Sequence, residues 1–172
     1  MSDSRDRQSF SKKYEDALNK QINMELQAAY DYMAFFTYFD RDDVAFPKAA
    51  EFFRKASHEE REHAEKLAKY VNKRGGRVQY NGLKGRSSTK FSSIKDAMKT
   101  ALDTQREVSE SRLKLRSVAA KNNDSALTDL LESEFLHEQE DAIKQFADYI
   151  TQTKRVGSGL GEYLFDKLTL NE

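Results

Sequence analysis

The chain has 172 residues, 29 of them basic and 29 acidic, so its formal net charge is zero. That length suffices for one ordinary domain with a real core, and the charge balance gives no global reason to expect nucleic acid or an anionic membrane as partner. There is no cysteine, which excludes disulfides, zinc–thiolate sites and thiol catalysis.

A charged fraction of 34%, a single proline and seven glycines favour long amphipathic helices over buried sheet. The polar stretch from Met1 to Gln8 lacks the apolar run of a signal peptide, and no segment approaches the about 18 apolar residues that span a bilayer. The expected location is the cytoplasm. The first helix is predicted from about Ser11 to Phe39, with Ile22, Leu26, Ala29, Met33 and Phe36 inward, and it stops in the turn Asp40-Arg41-Asp42-Asp43. The second starts near Pro47, turns Phe53, Ala56, Leu67 and Val71 inward, and ends at Gly75-Gly76 after Lys73-Arg74. A long loop to about Lys90 then allows the third helix to run parallel to the second. That third helix spans about Ser92 to Lys121, with Ile94, Met98, Ala101, Leu102, Val108 and Leu115 inward; Arg112 falls near this stripe without a firm account. Asp124 is the expected N-cap of a fourth helix reaching about Lys154, with Leu127, Leu131, Phe135, Ile143, Phe146 and Ile150 inward. Gly157-Ser158-Gly159 break the chain before a short fifth helix, about 160 to 169. The expected fold is all-α: one domain over 1–172, with a bundle over about 11–154 and a short C-terminal helix.

Polar residues on core faces carry the chemistry. Glu25 sits between Ile22 and Ala29, with Tyr32 two turns along. Glu60 and His63 interrupt the stripe Phe53, Ala56, Leu67. Gln105 sits between Ala101 and Val108, and Gln139 between Phe135 and Ala142. A buried carboxylate is unfavourable unless it is paired or bound to metal, and the inward cationic candidates are Arg112, roughly two turns from Gln105, and His63. Two carboxylates, an imidazole, amides and a tyrosine converging at mid-bundle look like a divalent cation site. Glu60 and His63 place an oxygen and a nitrogen ligand one turn apart; such a set suits Fe²⁺ and Mn²⁺ and also accepts Zn²⁺. A lone Glu-x-x-His is usually two solvated side chains, but its coincidence with polar residues on every long helix argues against that. Glu134 and His137 spell the motif again. His137 lies roughly 200° around the helix from Gln139, so it is expected at the surface or between subunits, which disfavours a di-iron hydroxylase.

With these residues in view, the chain resembles the animal cytosolic ferritins over essentially its whole length. The matching stretches are residues 21–26 (QINMEL), 38–45 (YFDRDDVA), 57–67 (SHEEREHAEKL) and 162–167 (EYLFDK). The resemblance implies a ferritin-like four-helix bundle with a long crossover and a short fifth helix, assembled into a 24-subunit cage that stores iron. It places the chain with the heavy, ferroxidase type, because Glu25, Glu60 and His63 match that type's first iron site, with Glu60 bridging both irons, Tyr32 as its tyrosine and Gln139 as its fourth-helix glutamine. Fe²⁺ and O₂ are then the substrates. One departure follows: the family's third-helix glutamate falls at Gln105, whose neutral amide implies a weaker second iron site. The resemblance also implies that Glu59, Glu62 and Glu65 nucleate mineral on the cavity face, although three exposed acids also suit an ordinary solvated face. By the same resemblance Asp129 and Glu132 line a threefold ion channel, and Leu160, Leu164 and Leu168 form an apolar fourfold plug. Two alternatives to a catalytic homopolymer stay open: a catalytically weak shell subunit, and co-assembly with other ferritin subunits. A DNA-protecting mini-ferritin is disfavoured by the fifth helix and the absence of a basic tail.

Overall fold

The computed structural model describes residues 9–86 and 91–170, and all regular structure among them is helical. The expected polar segment Met1 to Gln8 and the last part of the crossover, 87–90, lie outside the described residues. No helix among the described residues is long and apolar enough to cross a membrane.

Helix starts follow local chemistry. Helix α1 (Lys12–Phe39) begins at Ser11, whose hydroxyl accepts the Tyr14 backbone N–H at 3.2 Å, satisfying a donor that the first turn leaves open. Helix α2 (Pro47–Lys73) has proline in its first turn, where no backbone donor is needed. Helix α3 (Ile94–Lys121) is capped by Ser93. Asn123 takes the left-handed backbone that asparagine tolerates, with φ 51°. Asp124 then caps α4 (Ser125–Leu131), accepting the Leu127 N–H at 3.0 Å. A π-helical turn, Glu132–Leu136, joins α4 to α5 (His137–Val156) without leaving helical backbone angles. The short C-terminal helix is present, with α6 (Leu160–Leu164) running into a second π turn, Phe165–Thr169.

Two apolar clusters fix the direction of the helices. One gathers Tyr14, Tyr70, Val71, Ala119 and Leu127; the other gathers Phe39, Ala49, Ile94, Ala97 and Phe146. Helices α2 and α3 thus start at the same end and run parallel, while α1 and the α4–α5 rod run the other way. This is the four-helix bundle with a long crossover expected from the sequence. The buried stripe of α1 is Leu18, Ile22, Glu25, Ala29, Tyr32, Phe35 and Phe39. Met33, expected inward, is 53% exposed, because a 3.6-residue period carries the stripe to Tyr32 instead.

The crossover is held along α1 by a polar ladder. Asn19 and Asn23 accept the Gln79 and Asn81 backbone N–H groups at 2.8 Å each. Their amide nitrogens donate to the Arg77 and Gln79 carbonyls at 2.9 and 2.7 Å. Glu15 and Gln27 extend the ladder to the N–H groups of Arg77 and Lys84. From Glu15 to Asn23 the steps match because four helical residues rise about 6 Å and two extended residues about 6.6 Å; the last step, to Lys84, takes three crossover residues. The C-terminal helix closes the other end. Asp166 accepts the Ala49 N–H at 2.7 Å, and Glu162 accepts the Ile94 N–H at 2.8 Å, so carboxylates one turn apart cap the starts of both α2 and α3.

Candidate metal centre

Between the two apolar clusters the bundle axis is polar. Glu25 from α1, Glu60 and His63 from α2, Gln105 and Arg112 from α3, and Gln139 from α5 are all buried there. One ligand atom from each of Glu25, Glu60 and His63 lies within 4.8 Å of the other two. The triad expected from the sequence is therefore assembled, with the oxygen and imidazole donors that suit Fe²⁺.

Arg112 enters the same point. Its Nε and Nη2 donate to the two oxygens of Glu25 at 2.8 and 2.7 Å. Nη2 also donates to Glu60 Oε2 at 3.3 Å and faces His63 Nδ1 at 3.0 Å. Phe135, carried by the first π turn, supports both groups: the guanidinium carbon sits 5.1 Å from its ring centre, and the His63 ring meets it edge-on at 4.9 Å. A guanidinium only donates and a carboxylate only accepts, so a protonated ring would give its Nδ1–H to Glu60 Oε2, 3.3 Å away, whereas in the neutral ring Nδ1 accepts from the nearer Arg112 and Nε2–H donates to Glu138 Oε2 at 3.0 Å. That tautomer keeps the Nδ1 lone pair turned toward the acids, as a metal ligand requires.

Gln105 sits where the sequence places it, but its nitrogen faces the acids. Nε2 donates to Glu60 Oε1 at 2.5 Å and to the Tyr32 hydroxyl at 3.0 Å. Tyr32 passes its own proton to the Ala101 carbonyl at 3.3 Å, which leaves the hydroxyl oxygen to accept from the amide. Both Glu60 oxygens are therefore engaged, one by Gln105 and the other by Arg112. Gln21 adds a donor to Glu25 Oε1 at 2.7 Å.

Burial raises the Glu25 carboxyl above its ordinary range, with Arg112 pulling against it. Burial pushes Glu60 the same way, but the protons that His63 and a protonated Glu25 can donate to it, with Arg112 beside them, hold it below that range. Burial lowers His63, yet its hydrogen bond to Glu60 carries it above its usual value. Acidification would thus turn Nδ1 from acceptor into donor. Burial also raises Tyr32, which stays a neutral phenol.

Gln139 completes the wall. Both atoms of its amide are buried without a hydrogen-bond partner, on a cavity of about 640 Å³ shared with Glu60, His63, Gln105 and Arg112. An amide held in this way fits a site built to receive a polar guest. Glu59 and Glu62 are exposed along the same cavity, whereas Glu65 is not on it and pairs with Arg61 at 3.1 Å. Asp129 and Glu132 share a shallow surface depression, where Arg116 Nε donates to Glu132 Oε1 at 2.7 Å. The second Glu-x-x-His does not converge: Glu134 pairs with Lys66 at 2.5 Å and His137 is exposed. On the last helix Leu160 and Leu168 are 71% and 68% exposed.

Sequence reasoning named Arg112 as an inward cation without assigning it to Glu25, and missed Glu138 behind His63 and Phe135 under both. The signal for Arg112 was available: an arginine on a stripe with Gln105, Val108 and Leu115 is buried, and a buried arginine needs a carboxylate. Glu138 and Phe135 depend on tertiary contacts that no spacing announces.

The model of the ferritin-like domain matches residues 15–156. The chain is 76% identical to Ferritin-2 heavy chain of Schistosoma mansoni over the full length of both. It is 54% identical to the ferritin heavy chain of Echinococcus granulosus over 95% of each, and 49% identical to soma ferritin of Lymnaea stagnalis over 99% of this chain and 98% of that one.

Proposed function

The chain belongs to the ferritin family, and on that premise we propose that it stores iron and oxidises Fe²⁺ with O₂ inside its own bundle. The observation that carries this reading is the meeting of Glu25, Glu60 and His63 within ligand distance on the buried axis. Glu25, Glu60 and His63 Nδ1 hold the first Fe²⁺. Glu60 bridges to a second ion, for which Gln139 and Gln105 are the further ligands, Gln105 only once its amide turns to present oxygen in place of the nitrogen that now faces Glu60. Each Fe²⁺ gives one electron to O₂. Hard oxygen ligands favour the ferric state, and the sparse second site lets product leave. The open wall beside Glu59 and Glu62 offers an acidic way out to the mineral. Iron is substrate and cargo.

The same reading places the chain in a cytoplasmic 24-subunit cage, alone or with other ferritin subunits. The exposed Leu160, Leu164 and Leu168 stripe supports burial between copies. Asp129 and Glu132 serve as a channel for cations, with Arg116 offsetting part of the charge of Glu132. Glu59, Glu62 and Glu65 face the store. Neither nucleic acid nor membrane has a role in this function.

Addition of Fe²⁺ to the aerobic apo-homopolymer tests the central claim. The wild type is expected to consume O₂ within seconds, and an E60Q/H63A double variant to lose that fast phase. A wild type no faster than the double variant would overturn the catalytic reading. It would favour a shell subunit without fast oxidation, to which the grip of Arg112 and Gln105 on Glu25 and Glu60 lends support.

A further inference from the structure

We propose that Arg112 is the resident cation of the Glu25–Glu60–His63 centre, and that a divalent ion binds there only by displacing its guanidinium. This rests on the reading that the triad binds metal. The geometry carries it. A single atom, Arg112 Nη2, lies 2.7 Å from Glu25 Oε2, 3.3 Å from Glu60 Oε2 and 3.0 Å from His63 Nδ1. Those are the three residues whose ligand atoms converge within 4.8 Å. A metal ion would approach the same kinds of atom to about 2.0–2.2 Å. The space they enclose holds one cation, either the guanidinium nitrogen or the metal.

Charge makes the exclusion stronger. Arg112 and Glu25 are both fully buried, so a divalent ion placed beside the guanidinium would be repelled with little screening. Arg112 also has somewhere to go. It lines the open cavity with Glu59, Glu62 and Glu138, and those acids can receive the displaced guanidinium. Divalent metal uptake is then an exchange, and its apparent affinity is reduced by the stability of the Arg112–Glu25 fork. The opposing view is an inert structural ion pair with metal bound next to it.

Zn²⁺ binding to the apo-homopolymer, followed by calorimetry without iron or oxygen, distinguishes these views. The E60Q/H63A variant serves to subtract binding elsewhere on the cage. Arg112→Met keeps an unbranched side chain against Phe135 and removes the cation. It is expected to bind Zn²⁺ at the triad about tenfold more tightly or better, equivalent to ~1.4 kcal/mol. Arg112→Lys, which keeps the charge but not the two-pronged grip, is expected to fall between. The melting temperature of R112M without metal should drop, and its rise on adding Zn²⁺ should exceed that of the wild type. Equal Zn²⁺ affinity in wild type and R112M would overturn the exchange while leaving the metal site intact. Absence of triad-specific Zn²⁺ in both would overturn the metal-site reading, and the exchange with it. Should R112M fail to assemble, crystals of the wild type with and without Zn²⁺ decide the matter. The guanidinium is expected to leave Glu25 when Zn²⁺ is present, and a fork that persists beside the bound ion would refute the exchange.

Discussion

Asp124 is the most heavily used carboxylate outside the centre, and removing it has a calculable consequence. Its Oδ1 caps α4 through the Leu127 N–H at 3.0 Å, and its Oδ2 accepts the Tyr14 hydroxyl at 2.7 Å. Oδ2 also takes short contacts from the Tyr70 hydroxyl and from Arg74 Nη1. One residue thus joins the start of α1, the end of α2 and the start of α4. Asp124→Ala loses a cap of about 1 kcal/mol and leaves two phenols without a charged acceptor, at about 1.5 kcal/mol or more each. A total near 4 kcal/mol is expected, a large share of a typical domain's stability of about 5–15 kcal/mol. Asp124→Asn keeps acceptors but not the charge, and should lose about half as much. Guanidinium unfolding followed by far-ultraviolet circular dichroism, at one fixed protein concentration because assembly adds to apparent stability, measures both. The effect also carries a sign with pH. Burial pushes the Asp124 carboxyl up, but its bonds with Tyr70, Leu127 and Tyr14 hold it below the ordinary range. The unfolded chain therefore takes up the proton first as pH falls, and the stabilisation is lost as pH drops through the folded value. The gap between wild type and D124N should be full at neutral pH and narrow below about pH 4. An Asp124→Ala loss under about 1 kcal/mol, far below a buried charged network, or a gap that widens in acid, would refute the reasoning.

Other consequences follow from the same geometry. Asp166→Asn with Glu162→Gln should free the C-terminal helix from the starts of α2 and α3, lowering stability by about 1–2 kcal/mol and speeding proteolysis near Gly157 and Gly159; unchanged cleavage would count against the double cap. Asn23→Ala should release the Asn81 backbone N–H, which its side chain accepts at 2.8 Å, so hydrogen exchange there should accelerate while the Gln79 N–H, held by Asn19, changes less. Gln105→Glu should tighten a second divalent ion per chain, seen by Zn²⁺ titration, because a carboxylate replaces an amide whose nitrogen now faces Glu60. Two equally tight ions already present in the wild type would rule out a weakened second site.

Much of the fold was legible because it depends on local periodicity and punctuation. Pro47, Asp124 and the glycines near 75 and 157 mark helix ends with backbone chemistry that operates wherever the chain sits. Met33 was misplaced because apolarity marks a face only to within one residue, and the polar Glu25 and phenolic Tyr32 define the buried line of α1 better than the methionine does. The triad was legible for the opposite reason: Glu25, Glu60 and His63 are wrong for a core, and three wrong residues at matching heights are hard to explain without each other. Which atom of Gln105 meets Glu60 was not legible, because an amide offers either a donor or an acceptor. The Tyr32 and Glu60 acceptors decide it, and both lie on other helices.

Arg112 changes what the buried acids imply. Two carboxylates on a buried axis need positive charge, and a metal ion is not the only source of it when a guanidinium grips one acid with two bonds and touches the other. Burial of Glu25 and Glu60 therefore does not by itself demand iron; the imidazole does more, because Nδ1 presents a lone pair to the same point. Charge then sets the direction of exchange. When both carboxylates are ionised, one guanidinium opposite them leaves one negative charge uncompensated, whereas a divalent ion in its place leaves none; burial holds a proton on Glu25 to higher pH than usual, so taking up the ion also releases that proton. The centre can be stable without metal and still favour a divalent ion over its own arginine. Arg112 would then keep the empty bundle folded, and its departure would reduce the net affinity for iron.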